Sequence, residues 1–418
     1  MTQDDAYSHL ALSAALESSS LDARDRALAT ELVYGVLTWR RGLDRVIDQQ
    51  VKHGIGTLDP KTIIVMQVAL YQLWFLDRIP AHAAINEAVE ATKRHDERAA
   101  RMVNAVLRKL SDSERIWWSE AIEDTGSARY IGQRYSMSSW IARELVAVYS
   151  ERAGEVAEAY SGRSTTWARA ESVPEALAEN LEAHESIPGA WGVREFDDAV
   201  RAALDAGQVS IQDLGSQLVG ALCAPKEGDR ALDACAGLGS KTLHLLDKGA
   251  AEVVSVDPVW GKLEHLERAA ASRGLTDRVT LKVGALEEIS GDLGTFDLVL
   301  VDAPCSGLGT MRRHPETRWR RTVEDVKALC EIQAELLIRA AALVRPGGTL
   351  VYSVCTFTRA EGIDQIEAFL GRSAFFTRQP SEVEWLGAYL DERGDLSLDP
   401  ARHGCDGFYA ARMVRGDK

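Results

Sequence analysis

A chain of 418 residues exceeds what a single hydrophobic core organises and divides into two or three domains. With 46% hydrophobic and 27% charged residues, no low-complexity tract and no apolar run of membrane-spanning length, it fits neither the disordered nor the membrane-spanning class. A net charge of −15 argues against a protein that wraps nucleic acid through bulk charge, and six cysteines without a Cys-x-x-Cys pair argue against a disulfide framework or a zinc site.

The thiols are therefore read as reduced and the protein as cytoplasmic. The acidic opening Met1-Thr2-Gln3-Asp4-Asp5 also lacks the basic-then-apolar order of a secretory signal. Residues 1–112 read as an all-helical domain. Ala27, Leu28, Leu32, Val33, Val36 and Leu37 recur at helical spacing, as do Ile63, Ile64, Val68, Leu70, Leu73 and Trp74. A third run, Ala84 to Leu110, breaks at His95-Asp96-Glu97, and Gly54, Gly56 and Asp59-Pro60 punctuate between helices. Residues 113–208 carry 9 Lys+Arg against 17 Asp+Glu and are weakly periodic, apart from a helix over Ser138 to Tyr149. They read as a small α+β connecting domain.

From 209 to 418 strands alternate with helices. Strands end at Ala231-Leu232-Asp233 and Val253 to Asp257, then run over Val279 to Val283 and Leu298 to Val301. Helices cover Lys241 to Lys248, Trp260 to Arg273 and Val323 to Val344, and Pro346-Gly347-Gly348 turns the chain into a last strand, Thr349 to Val354. That order predicts a doubly wound, mostly parallel sheet, whose ligands bind beyond the carboxyl ends of the strands.

Two cysteines arrive at that rim. Cys305 follows Leu298-Val-Leu-Val-Asp302-Ala-Pro, and Cys355 follows Thr349-Leu-Val-Tyr-Ser-Val. A buried cysteine is a common core residue. Two at strand ends, one of them three residues after Asp302, favour a nucleophile and a helper instead. Cys223, Cys330 and Cys405 lack such a setting and are read as structural, as is the thiol of Cys235. Between the first strand and its helix runs the glycine loop Asp233-Ala-Cys235-Ala236-Gly237-Leu-Gly239-Ser-Lys241-Thr, and Asp257 closes the next strand 24 residues after Asp233. The loop lacks P-loop spacing. Loop and strand-end acid together favour a nucleoside-cofactor site over a plain turn. Arg312, Arg313, Arg318, Arg320 and Arg321 fall within ten residues that hold one acid, Glu316. A solvated face is the ordinary reading of such a run, but so soon after the Asp302–Cys305 strand end an anion-binding lip is favoured. Trp117-Trp118 and Trp319 are read as packing residues, and His314 as shaping a loop.

Asp302-Ala-Pro-Cys305-Ser-Gly, Arg312-Arg-His-Pro-Glu316 and Tyr352-Ser-Val-Cys355-Thr resemble the Sun-type RNA (cytosine-5)-methyltransferases. The likeness is greatest to the bacterial branch that acts on small-subunit ribosomal RNA and carries an N-terminal NusB-like helical domain. Val103-Asn-Ala-Val-Leu-Arg108, Arg134-Tyr-Ser136, Ser210-Ile-Gln-Asp213 and Asp406-Gly-Phe-Tyr409 extend the likeness over nearly the whole chain. The resemblance implies a NusB-like bundle over 1–112 and a Rossmann-like, S-adenosylmethionine-dependent methyltransferase domain over 209–418. It implies that Cys355 attacks carbon 6 of cytosine, that Cys305 assists release and that Asp302 bonds the base. It places Lys241 near the cofactor and the catalytic groups. Asp233, Cys235, Ala236, Gly237, Gly239, Asp257 and Asp302 would line the cofactor, and Arg312, Arg313, Arg318 and Arg320 would hold RNA phosphates. The protein is read as a monomer.

The cofactor loop departs from the family's usual Cys-Ala-Ala-Pro-Gly-Gly-Lys-Thr at Leu238 and Ser240, among others. Ala285 stands where an acid is usual, with Glu287 or Glu288 as substitutes, and Val354-Cys355-Thr356 replaces Thr-Cys-Ser. These departures keep a second reading open, an RNA-binding ribosome-assembly protein whose methyltransferase domain is non-catalytic.

Overall fold

The computed structural model describes residues 8–112 and 126–416; the acidic opening and Trp117-Trp118 lie outside them. Two compact units emerge, Met1–Gly162 with Met311–Arg320, and Arg163–Thr310 with Arg321–Lys418. The stretch read as one connecting domain thus divides at Gly162 between them.

The first unit is helical: α1 (Ser8–Glu17), α2 (Ala23–Gln50), α3 (Pro60–Phe75), α4 (Ala81–Lys93), α5 (Glu97–Ser111), α6 (Ala128–Arg134), α7 (Ser139–Tyr149) and α8 (Ala153–Ser161). The polar break at His95-Asp96-Glu97 is a helix start, with the Asp96 carboxylate accepting from the amides of Arg98 and Ala99. Asp22 and Asp59 cap α2 and α3 in the same way, and each such cap contributes about 1 kcal/mol. Leu43, Ile47, Met66, Leu70, Val103 and Leu107 are fully buried at the centre. Leu28 and Ile64, which the spacing assigns inward, are exposed. The apolar stripes of α2 and α3 are wider than their mutual contact, and Ile64 lines an open groove of about 850 Å³ with Leu32, Val36 and Val68.

The second unit holds two sheets. Four short antiparallel strands, β1 (Trp167–Arg169), β2 (Leu181–Ala183), β3 (Ala190–Val193) and β4 (Ser210–Ile211), pair in the order β2-β3-β1-β4. The larger sheet runs through β5 (Arg230–Asp233), β6 (Glu252–Asp257), β7 (Val279–Val283), β8 (Phe296–Asp302), β9 (Val344–Val354), β10 (Phe376–Arg378), β11 (Leu396–Leu398) and β12 (Phe408–Arg415). Its order is β10-β12-β9-β8-β5-β6-β7, parallel from β9 to β7, with β12 antiparallel to β9, β10 and β11. The remaining α-helices are α9 (Asp198–Asp205), α10 (Leu214–Cys223), α11 (Ser240–Asp247), α12 (Trp260–Ser272), α13 (Leu286–Ile289), α14 (Thr317–Arg320), which belongs to the first unit, α15 (Val323–Leu343), α16 (Ile363–Arg372) and α17 (Pro400–His403).

Leu298 to Val301 and Val351 to Val354 are almost wholly buried, as parallel strands covered on both faces require. One expectation is corrected here. Pro346-Gly347-Gly348 is not a turn before a strand but an irregularity within β9. Val344 already pairs with Phe296, the register shifts before Thr349 meets Leu298, and Gly347 adopts φ +74° to absorb the shift. Among the described residues no helix is long and apolar enough to cross a membrane.

Candidate active site

Four parallel strands deliver the candidate site residues to one edge of the sheet: Asp233 closes β5, Asp257 closes β6, Asp302 closes β8, and Cys355 follows β9. The chain leaves β5 toward β6, while β8 pairs on the other side of β5, so the strand order reverses between β5 and β8. Open α/β sheets bind ligands at such a point.

The two thiols meet there, with Cys305 Sγ 3.3 Å from Cys355 Sγ. The hydrogen bond to Cys355, together with burial, holds the Cys305 thiol well above its ordinary range, so it stays protonated at neutral pH. Lys241 Nζ lies 2.6 Å from Asp302 Oδ2 and 5.6 Å from the centre of the Phe408 ring. Burial alone would depress the Lys241 ammonium, but the Asp302 carboxylate outweighs it and its pKa is raised. Asp302 Oδ1 accepts from Ser353 Oγ, because the β8–β9 register sets those residues side by side. The loop after Cys305 is tied back at Gly309, whose amide donates to Cys355 O and whose carbonyl accepts from the Gly407 amide. A Cβ at Gly309 would stand 1.9 Å from Gly407 O, so a side chain there would part the two loops.

The glycine loop folds over the adjacent strand ends. The Gly237 amide donates to Asp257 Oδ2 (3.1 Å) and the Val259 amide to Asp257 Oδ1 (2.9 Å). Gly239 takes φ +85° at the start of α11, where a Cβ would fall 2.4 Å from the Leu266 side chain. Leu238 and Ser240 point to solvent, and Ser240 is the first residue of α11. Asp233 Oδ2 accepts from Thr242 Oγ1 at 2.8 Å, while its Oδ1 is buried without a partner. Burial raises this carboxyl to about 6. The Cys235 thiol is pushed up by burial and further by the negative charge of Asp233, Asp302, Asp257 and Glu287. That places Glu287 among the acids facing the loop, whereas Glu288 is exposed and Ala285 precedes α13. An unsatisfied buried carboxylate oxygen and a gathering of acids fit a cationic ligand with hydrogen-bond donors. Cys223 and Cys330 are also pushed up by burial, in keeping with inert structural thiols.

The arginine run needs one correction. Arg318 does not reach for phosphates. It is fully buried in the first unit, donating from Nη1 to Tyr135 O (3.1 Å) and Ser161 Oγ (3.3 Å) and from Nη2 to Tyr160 O (2.5 Å). Burial lowers its pKa to about 9. Arg312, Arg313 and Arg320 stay partly exposed, and each has interactions of its own. Trp319 donates to Leu37 O at 2.6 Å and acts in packing, and His314 packs edge-on against His9. Arg318→Ala is expected to cost about 2–4 kcal/mol, because buried carbonyls lose their donor. Denaturant unfolding of the intact protein measures it, and a loss below 1 kcal/mol would contradict this placement.

The charge pattern gives no sign of Arg318's interior role, nor of Ser353 or of Glu361, a buried carboxylate behind the two thiols. The register partnership of Ser353 with Asp302 becomes visible only once the strands are paired.

Comparisons with known proteins identify the family. The family description 16S rRNA methyltransferase RsmB/F matches residues 220–414, and the NusB family matches residues 1–112. The chain is 33% identical to the probable ribosomal RNA small subunit methyltransferase B of Bacillus subtilis, over 99% of this chain and 96% of that one. It is 30% identical to the ribosomal RNA small subunit methyltransferase B of Vibrio vulnificus, over 95% and 92%. Among solved structures, PH0851 shares the fold with a TM-score of 0.78 at 22% identity, over 96% of this chain and 93% of that one. NSun6 from Pyrococcus horikoshii shares it with a TM-score of 0.56 at 17% identity, over 66% and 97%. The chain belongs to the RsmB/F family of 16S rRNA methyltransferases, its methyltransferase domain joined to an N-terminal NusB-family domain.

Proposed function

We propose that this protein methylates carbon 5 of a cytosine in small-subunit ribosomal RNA through a covalent adduct between Cys355 and carbon 6. The observation that carries the reading is the Cys305–Cys355 pair at the carboxyl rim, beside the Lys241–Asp302 pair. Carbon 5 of cytosine is a poor nucleophile. A thiolate added at carbon 6 makes it enamine-like and able to accept a methyl group. Cys355 supplies that thiolate. Asp302, held by Lys241 and Ser353, bonds the base near its ring nitrogen and favours the adduct. Cys305, one sulfur contact away, gives its thiol proton to the departing Cys355 sulfur and takes up the proton lost from carbon 5, so that the S–C6 and C5–H bonds break and both cysteines end as thiols.

S-adenosylmethionine, when bound, supplies an electrophilic methyl group. Asp233, Cys235, Ala236, Gly237 and Gly239 would form its cradle, Asp257 would accept from the ribose hydroxyls, and Lys241 and Asp302 would lie near it. The unpartnered Asp233 Oδ1 and the acids around Cys235 support that assignment. Arg312, Arg313 and Arg320 offer phosphate contacts to the RNA. The protein acts as a monomer in the cytoplasm, where ribosomal RNA is processed.

Incubation of ribosomal RNA from cells lacking this gene with methyl-labelled S-adenosylmethionine, followed by nucleoside mass spectrometry, tests the reading. Label in 5-methylcytidine is expected. Label in another nucleoside overturns the chemistry, and no S-adenosylmethionine binding by calorimetry supports a non-catalytic assembly protein instead.

A further inference from the structure

The two thiols stand on separate loops, and a carboxylate that need not touch any reacting atom ties those loops together. Glu361 is fully buried. Its Oε1 accepts from the Ser306 amide (2.7 Å) and from Gln333 Nε2 (3.2 Å), and its Oε2 accepts from Ser306 Oγ (2.6 Å) and Thr358 Oγ1 (2.8 Å). Ser306 directly follows Cys305, and its hydroxyl also lies 3.0 Å from that of Thr356, which directly follows Cys355. Gln333 reaches the carbonyl of Pro304, the residue before Cys305, at 2.9 Å, and Tyr352 Oη donates to the Glu361 carbonyl at 2.6 Å. Ser306, Gln333, Thr356 and Thr358 are all buried.

Removing a carboxylate from water is costly unless both oxygens are satisfied. Here both are, by neutral donors that converge from the Cys305 loop, the Cys355 loop and α15. Its donors include Ser306, which flanks Cys305, and Thr358, three residues past Cys355, and Ser306 in turn meets Thr356, which flanks Cys355, so the carboxylate sits where the two cysteine loops join. We propose that Glu361 is a positioning residue that sets the separation of Cys305 and Cys355. This rests on the covalent mechanism above for its catalytic meaning, though not for its geometry. The bonds its two oxygens accept orient the Ser306 and Thr358 hydroxyls and the Ser306 amide toward one point. A glutamine of the same shape keeps one acceptor but turns an N–H₂ toward two hydroxyls, which must rotate away. An aspartate is one methylene too short to span both loops.

Diamide oxidation of the intact protein reads that separation without RNA or cofactor. The Cys305 and Cys355 thiols lose two protons and two electrons to form one S–S bond, and diamide is reduced to its hydrazine. The wild-type protein is expected to give the Cys305–Cys355 peptide crosslink. Glu361→Gln should slow crosslinking roughly 10-fold and lower kcat about 10- to 100-fold with KM for RNA unchanged, since misplacement of reacting groups acts on the chemical step. Its melting temperature should stay close to wild type. Glu361→Asp should slow both further. Wild-type crosslinking or wild-type kcat in Glu361→Gln overturns the proposal, as does a kcat loss that follows only the unfolded fraction, or a wild-type protein that diamide does not crosslink. If Cys355→Ala still methylates while Glu361→Gln crosslinks slowly, the covalent mechanism falls and the positioning role stands.

Discussion

Cys355→Ala is expected to abolish methyl transfer, and Cys305→Ala to trap the protein on its RNA. The two sulfurs are 3.3 Å apart, so geometry alone gives them equal access to a base at the rim. The division of roles follows the resemblance to the Sun-type enzymes, which gives the attack to the thiol after the last parallel strand and the release to the other. The hydrogen bond to Cys355, with burial, raises the Cys305 thiol, in keeping with a group that handles protons. Removing Cys355 takes away the bond that makes carbon 5 reactive, and the loss in kcat is expected to exceed roughly 10³-fold. Removing Cys305 leaves the attack possible but slows release, so a protein–RNA species that survives denaturing gel electrophoresis should accumulate. The reverse pattern, an adduct with Cys355→Ala and dead enzyme without adduct for Cys305→Ala, exchanges the two roles. Normal turnover in both variants discards the covalent mechanism.

Such assignments draw on features that differ in how plainly the amino-acid order shows them. Leu298 to Val301 and Val253 to Val256 are short, apolar and β-branched, and the parallel sheet they build needs no other signal. Once those strands are paired, the common rim of Asp233, Asp257, Asp302 and Cys355 follows from topology. The small antiparallel sheet was hidden because its strands are two to four residues long and alternate too briefly to register. The helices α6 and α8 were missed in an acidic stretch where the period is weak. Charge counting failed at Arg318 for a different reason. A cluster of arginines shows where positive charge is abundant, not which guanidinium turns inward to satisfy carbonyls from two helix ends. Glu361 was silent because its partners come from residues 306, 333 and 358, brought together only by the fold.

Asp302→Asn should cost both stability and rate, and the double variant with Lys241→Met should separate the two. The Lys241 ammonium is nearly buried and its neighbour across 2.6 Å is the Asp302 carboxylate. Asparagine keeps the acceptor for Ser353 but sets an uncharged amide against the ammonium, stranding a buried charge. With Asp302 itself partly exposed, the penalty is expected near 2 kcal/mol, below the full range for wholly buried pairs. The raised pKa of Lys241 fixes the sign of its pH dependence. The pair's contribution is fully present below the unfolded-state value of 10.5 and is lost only as pH rises through the higher folded value. A shift in buffer between pH 6 and 9 therefore should not imitate the mutation. Replacing Lys241 by methionine in the Asp302→Asn background removes the stranded charge, and melting should recover most of the lost stability. Activity should not recover, because the base has lost its anionic partner, and the rate should remain lower by about 10²-fold or more. A double variant that regains activity along with stability would reduce Asp302 to a counter-ion for Lys241 and remove it from the chemistry.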